Sequence, residues 1–99
     1  MMTEKVQLKD KEADGFVIPI GSLHLVGVVT DRGMVGCGAF DVAALDSFNY
    51  PAARVRSGKG DPIATIEDLL SGIVKDANAG AVKLGVRIGM TGRQALDLM

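Results

Sequence analysis

Two apolar runs joined by a tight turn decide the fold. In order, they are Leu23-His24-Leu25-Val26-Gly27-Val28-Val29-Thr30, the turn Asp31-Arg32-Gly33, and Met34-Val35-Gly36-Cys37-Gly38-Ala39-Phe40. The runs are rich in apolar and β-branched residues, and a short loop containing glycine is typical of a β-hairpin. Residues 23–40 therefore predict a hairpin of two antiparallel strands.

Neither face of the first strand is polar. Side chains alternate between the two faces of a strand, so one face carries Leu23, Leu25, Gly27 and Val29, and the other carries His24, Val26, Val28 and Thr30. A sheet with one face in water would alternate apolar and polar residues. Short helices can cover one face, and the second face predicts self-association into a dimer or tetramer through the N-terminal sheet. The alternative is that helices of the same chain cover both faces.

Weaker signals extend the sheet on both sides of this hairpin. Val6–Leu8 alternates weakly, and Asp14-Gly15 has the composition of a turn. Phe16–Ile20 is apolar and β-branched, and Pro19 within it indicates an edge strand or a bend. Ala52–Arg56 predicts a short later strand.

Helix signals dominate the second half of the chain. Asp41 and Thr65 each stand where a helix N-cap is expected, and Thr91–Gln94 has the pattern of a capping box. Val74, Ala77, Ala81 and Leu84 recur at helical spacing, which predicts an amphipathic helix over Lys75–Leu84.

These elements predict the α+β class: an N-terminal antiparallel sheet of about four strands plus a short later strand, followed by three or four short helices packed on one face. We expect one domain over residues 1–99. Residues 1–40 would be mainly β and oligomerising, and residues 41–99 mainly α.

Composition limits the classes of function. The 99 residues are 47% hydrophobic with a net charge of −1, which disfavours nucleic acid as a partner. Cys37 is the single cysteine, so no disulfide can form within the chain. The uncharged run Gly15–Thr30 is too short to span a bilayer, and the polar residues 1–12 do not form a signal peptide. We therefore expect a cytoplasmic protein with no membrane partner.

Three stretches of the chain together resemble the YunC-like family, a domain of unknown function (DUF1805). They are Cys37-Gly38-Ala39-Phe40-Asp41-Val42, then Thr65-Ile66-Glu67-Asp68-Leu69-Leu70, then Lys83-Leu84-Gly85-Val86 with Gly89-Met90-Thr91-Gly92-Arg93-Gln94-Ala95-Leu96. The resemblance implies an N-terminal β region that assembles subunits. It implies no established catalytic or ligand-binding residue.

Two glycine motifs resemble nucleotide-binding loops but lack the required residues. Gly36–Asp41 begins like a dinucleotide fingerprint, yet Asp41 stands in place of the third glycine and would repel a pyrophosphate. Gly58-Lys59-Gly60 lacks the upstream glycine and the following Ser or Thr of a phosphate loop. We therefore expect no cofactor, and interpret Gly36 and Gly38 as positions where another segment packs closely.

A catalytic hypothesis rests on Cys37, His24 and Asp41. They have the residue types of a thiol nucleophile, its base and an orienting carboxylate, and the hairpin would put His24 and Cys37 on neighbouring strands. The structural interpretation is favoured, in which Cys37 is a small buried side chain and Asp41 caps a helix.

A ligand-binding hypothesis rests on Arg54, Arg56 and Lys59. The two arginines would share one face of a strand and Lys59 would follow in a glycine loop, an arrangement that could hold a small anionic ligand. The alternative is a solvated edge strand whose charges oppose aggregation. One histidine, one cysteine and scattered carboxylates predict no metal site.

The sequence thus favours a homo-oligomeric assembly or binding module over an enzyme. Two alternatives remain, a small enzyme that uses Cys37 and a binder of a small anionic metabolite at Arg54, Arg56 and Lys59.

Overall fold

A six-stranded β-sheet runs through the whole chain in a computed structural model that describes residues 1–99. The strands are β1 (Met2–Gln7), β2 (Glu12–Ile20), β3 (Leu23–Val29), β4 (Met34–Gly36), β5 (Ala52–Arg56) and β6 (Ile73–Ala77). Their spatial order follows the chain order. Strand β4 pairs with β5 in parallel, and every other neighbouring pair is antiparallel.

Four short helices accompany the sheet: α1 (Val42–Asp46), α2 (Ile66–Ser71), α3 (Ala79–Lys83) and α4 (Gly92–Asp97). Asp41, Thr65 and Thr91 cap α1, α2 and α4 as predicted, because each side-chain oxygen accepts a hydrogen bond from a backbone N–H of the first turn. The predicted α+β class is confirmed, with six strands in place of about five. None of the helices has the length and apolar character needed to cross a membrane.

The sixth strand lies where a helix was predicted. The expected helix over Lys75–Leu84 is wrong: Ile73–Ala77 is strand β6, and only Ala79–Lys83 is helical. Val74 is fully buried opposite Val55 of β5, so its apolar character serves a strand. The apolar residues that recur every three or four positions therefore belong to two elements, a strand and the helix that follows it.

Two further predictions near the N-terminus are wrong. Asp14-Gly15 is not a turn but lies inside β2, and the chain turns between Leu8 and Lys11 instead. Gly15 packs closely under α2, since a Cβ there would lie 2.7 Å from the end of the Ile66 side chain, which would have to move. The strand predicted over Met34–Phe40 ends at Gly36, beyond which the chain turns.

One face of the sheet packs against helices and forms the main core. Val26, Val28 and Val35 are completely buried on this face together with Leu69 of α2 and Leu96 of α4. The core is built from aliphatic side chains, as the scarcity of aromatic residues requires.

The opposite face is covered only near β4 and β5. Val42 of α1 packs there against Met34 and Ala52 in a small second cluster. Helix α1 thus lies on the face opposite to the main core, so the helices are not all on one side. Over β2 and the first half of β3 no helix covers this second face.

Candidate functional site

A cleft lies at one edge of the sheet, where three strand ends meet. Because β4 and β5 are parallel, their last residues reach the same edge, and β3, antiparallel to β4, begins there. The cavity has a volume of about 580 Å³, within the range of small-molecule sites. We call it the end cleft, and its lining residues are Ile20, Ser22, Leu23, His24, Cys37, Gly38, Ala39, Val55, Arg56, Ser57, Gly60, Asp61, Pro62, Ile63 and Ala64.

Two of the three predicted catalytic residues line the end cleft. His24 is exposed at the start of β3, and Cys37 is a buried free thiol just after β4, whose backbone N–H donates to the Val26 carbonyl at 3.0 Å. Asp41 does not line the cleft, and its carboxylate instead accepts a hydrogen bond of 3.0 Å from the Ala44 amide. The structure brings together the thiol and the imidazole without the carboxylate.

The three predicted basic residues have three different environments. Arg54 forms an ion pair with Asp76 across β5 and β6 at 2.9 Å. Lys59 lies in the loop after β5 but not among the lining residues. Arg56, at the end of β5, lines the end cleft, is exposed, and makes no ion pair and no side-chain hydrogen bond. Of the trio, Arg56 alone brings an unpaired positive charge to the end cleft.

The glycine pair beside Cys37 serves two different purposes. A Cβ at Gly36 would collide with the Phe40 ring, so this glycine allows a close approach as interpreted from the sequence. Gly38 has open space around its Cβ position, so the same interpretation is wrong for Gly38. No group of three or more His, Cys, Asp or Glu residues is arranged to hold a metal ion.

The uncovered part of the second sheet face is the other candidate site. We call it the uncovered face, and it consists of Phe16, Ile18, Ile20, Leu23 and Leu25. Ile20 is 50% exposed, Leu23 is 59% exposed, and the other three are half-buried. A groove of about 600 Å³ over β1 and β2 continues this surface.

An ion pair borders the uncovered face. The Lys5 ammonium donates to the Asp14 carboxylate across β1 and β2, and this hydrogen bond raises the pKa of Lys5 above its ordinary value. The Lys5–Asp14 pair itself carries no net charge, while Glu4 in the adjoining groove and Glu12 at the start of β2 form no ion pair.

Asn78, which was not among the candidates predicted from the sequence, fixes the region between α1, β5 and α3. Asn78 is buried, and its side-chain amide makes four hydrogen bonds to backbone groups. A signal was present, because Asn is a preferred N-cap residue and stands directly before Ala79-Gly80-Ala81. The helical spacing assigned across it hid that signal.

Comparison with known proteins places the chain in a family. Residues 36–99 match the model described as a domain of unknown function (DUF1805). The uncharacterized protein YunC of Bacillus subtilis is 26% identical over 91 residues, covering 92% of this chain and 89% of YunC. A crystal structure of TA1206, a protein of unknown function from Thermoplasma acidophilum, superposes with a TM-score of 0.85 at 23% identity, covering 97% of this chain and 89% of that one. The fold is therefore shared with a solved structure, and the chain belongs to the DUF1805 family.

Proposed function

We propose that this protein is a self-associating module in which two copies pack their uncovered faces against each other. The observation that carries the proposal is the cross-strand pairing of Ile18 with Leu25 and of Ile20 with Leu23 on a face without helices. Phe16 extends this apolar surface along β2. Aliphatic cross-strand pairs left in water would forfeit the hydrophobic stabilisation that a partner can supply.

A second copy is the partner that fits the shape and charge of the surface. The uncovered face and the adjoining groove together span β1, β2 and β3, and three strands at ~4.8 Å spacing with about seven residues at ~3.4 Å each give a footprint of roughly 350 Å². Two such faces, with their rims, bury on the order of 1,000 Å², the lower end for a specific interface. A net charge of −1 gives little repulsion between copies, and each Lys5–Asp14 pair can meet its equivalent across a two-fold axis.

The two faces of β3 have different roles in this arrangement. Val26 and Val28 are fully buried under the helices, so charged substitutions there would unfold the protein and report nothing on assembly. Leu25 lies on the opposite face and is half-buried, so it is the informative position.

The test is the mass in solution of Leu25→Glu and of Ile18→Glu, measured by light scattering at micromolar concentration. We expect the wild type at about twice 10.3 kDa and each variant near 10.3 kDa, with unchanged circular dichroism. Val82→Glu is the matched control, since Val82 is 48% exposed on α3, away from the uncovered face, and its variant should keep the wild-type mass. A monomeric wild type, or variants that keep its mass while folded, would refute the proposal.

A further inference from the structure

We propose that the end cleft binds a small organic monocarboxylate with a short apolar body, held through Arg56. The cleft combines one unpaired guanidinium with walls that are largely apolar. The cleft shares Ile20 and Leu23 with the uncovered face, but its anion-binding group, Arg56, lies outside that face, so the proposal does not rest on self-association.

Arg56 supplies the anion-binding group. Neighbouring Arg54 is occupied by Asp76 and also lies 3.4 Å from the Gly38 carbonyl, whereas Arg56 has no protein partner. A planar guanidinium can bind both oxygens of a carboxylate through two parallel hydrogen bonds. His24 and Ser57, also in the lining, offer a ring N–H and a hydroxyl as further donors.

The apolar walls select the rest of the ligand. Ile20 and Leu23 are at least half exposed and present aliphatic surface to the cavity, whose lining also includes the buried Ile63 and Cys37. A chain of a few methylene groups, or a small ring, would exclude water from these walls at about 0.8 kcal/mol for each buried CH₂.

The charge count limits the ligand to one negative charge. Asp61 also lines the cleft, so the side chains of Arg56 and Asp61 together carry no net charge. A phosphate dianion would gain attraction from one guanidinium and meet repulsion from the Asp61 carboxylate. A monocarboxylate needs only the single bidentate pair with Arg56.

The experiment is a titration of the folded, ¹⁵N-labelled protein with hexanoate, followed by amide chemical shifts. We expect saturable shifts around Cys37, Arg56 and Ile63, and at least tenfold weaker binding of hexanol, which keeps the apolar chain and lacks the charge. Arg56→Gln should weaken hexanoate about tenfold, whereas Arg32→Gln, in the turn at the opposite end of β3 and β4, should leave affinity unchanged.

A second readout places the ligand against the thiol. Saturating hexanoate should slow the alkylation of Cys37 by iodoacetamide in the wild type and have a weaker effect in Arg56→Gln. Equal affinity in Arg56→Gln, shifts confined to Phe16, Ile18 and Leu25 outside the cleft, an unchanged alkylation rate at saturation, or no shifts at millimolar hexanoate would each overturn the proposal. Tighter binding of inorganic phosphate than of hexanoate would overturn the monocarboxylate assignment.

Discussion

Removing the Asn78 amide should cost more stability than removing any exposed helix cap of this protein. Its Oδ1 accepts hydrogen bonds from the Ala52 amide at 3.1 Å and the Ala81 amide at 3.0 Å. Its Nδ2 donates to the Val42 carbonyl at 2.9 Å and the Tyr50 carbonyl at 2.8 Å. One buried side chain thus joins α1, β5 and α3.

The magnitude follows from which groups lose a partner. In Asn78→Ala, four backbone groups lose this partner, and a buried polar group without a partner costs about 1–3 kcal/mol. Tyr50 lies near the surface, where water can replace the lost bond, so the full sum is not reached. We expect the free energy of unfolding to fall by roughly 3–5 kcal/mol, of which about 1 kcal/mol is the lost helix cap.

Asn78→Asp separates the two halves of the interaction. An aspartate keeps the acceptors for Ala52 and Ala81 but places a second oxygen against the carbonyls of Val42 and Tyr50. We expect Asn78→Asp to be destabilised at neutral pH despite its retained cap, because two acceptors face each other and a charge is buried.

The assay is equilibrium urea unfolding followed by circular dichroism, at one fixed protein concentration because self-association would add to stability. The control is Thr91→Ala, which removes the exposed cap of α4 and should cost about 1 kcal/mol. An Asn78→Ala cost no greater than that of Thr91→Ala, with equal m-values, would show that the bonds to α1 and β5 contribute nothing.

Three further predictions concern single positions. Gly92→Ala should destabilise the protein by about 2 kcal/mol, because a Cβ there would collide with a backbone carbonyl of α2. Gly38→Ala is the control, and because the space around Gly38 is open it should be nearly neutral in the same urea assay. The pKa of Asp68 is lowered below 3.8, mainly by a hydrogen bond from the backbone N–H of Ala64. The ionised carboxylate therefore stabilises the protein above about pH 3.8, and this stabilisation is lost as the pH falls through the pKa of the folded state. The difference in stability between wild type and Asp68→Asn should shrink below pH 3.8, and a difference that does not depend on pH would contradict this prediction. Cys37 should react with iodoacetamide far more slowly in the native protein than in urea, since it is 6% exposed; equal rates would show that the thiol is accessible.

The elements predicted best are those whose signals are local. Helix caps at Asp41, Thr65 and Thr91 depend on one side chain and the backbone within three residues of it, and all three were found. The tight turn before β4 is equally local, since the Thr30 hydroxyl oxygen accepts a hydrogen bond of 3.2 Å from the backbone N–H of Gly33.

Strand β6 was not predicted, because the contacts that make it a strand are with residues distant in the sequence. A strand of five residues followed closely by a helix of five residues produces the same apolar spacing as one longer helix. What decides for the strand is the pairing with β5, together with the hydrogen bond from the Val74 amide to the Met90 carbonyl at 2.8 Å. Neither partner can be identified from the periodicity of residues 73–84.

The end cleft shows why candidate residues can be recognised when their site cannot. His24, Cys37 and Arg56 were each singled out from the sequence, but in two unrelated groups. The antiparallel pairing of β3 with β4 brings His24 and Cys37 to one end of the sheet, and Arg56 joins them through the parallel pairing of β4 with β5, for which α1 provides the crossover. Had β5 paired antiparallel to β4, Arg56 would stand at the opposite edge of the sheet, some five residues of strand away from Cys37. The direction of each strand within the sheet therefore decides whether these residues line the same cleft, and no residue pattern in the chain specifies that direction.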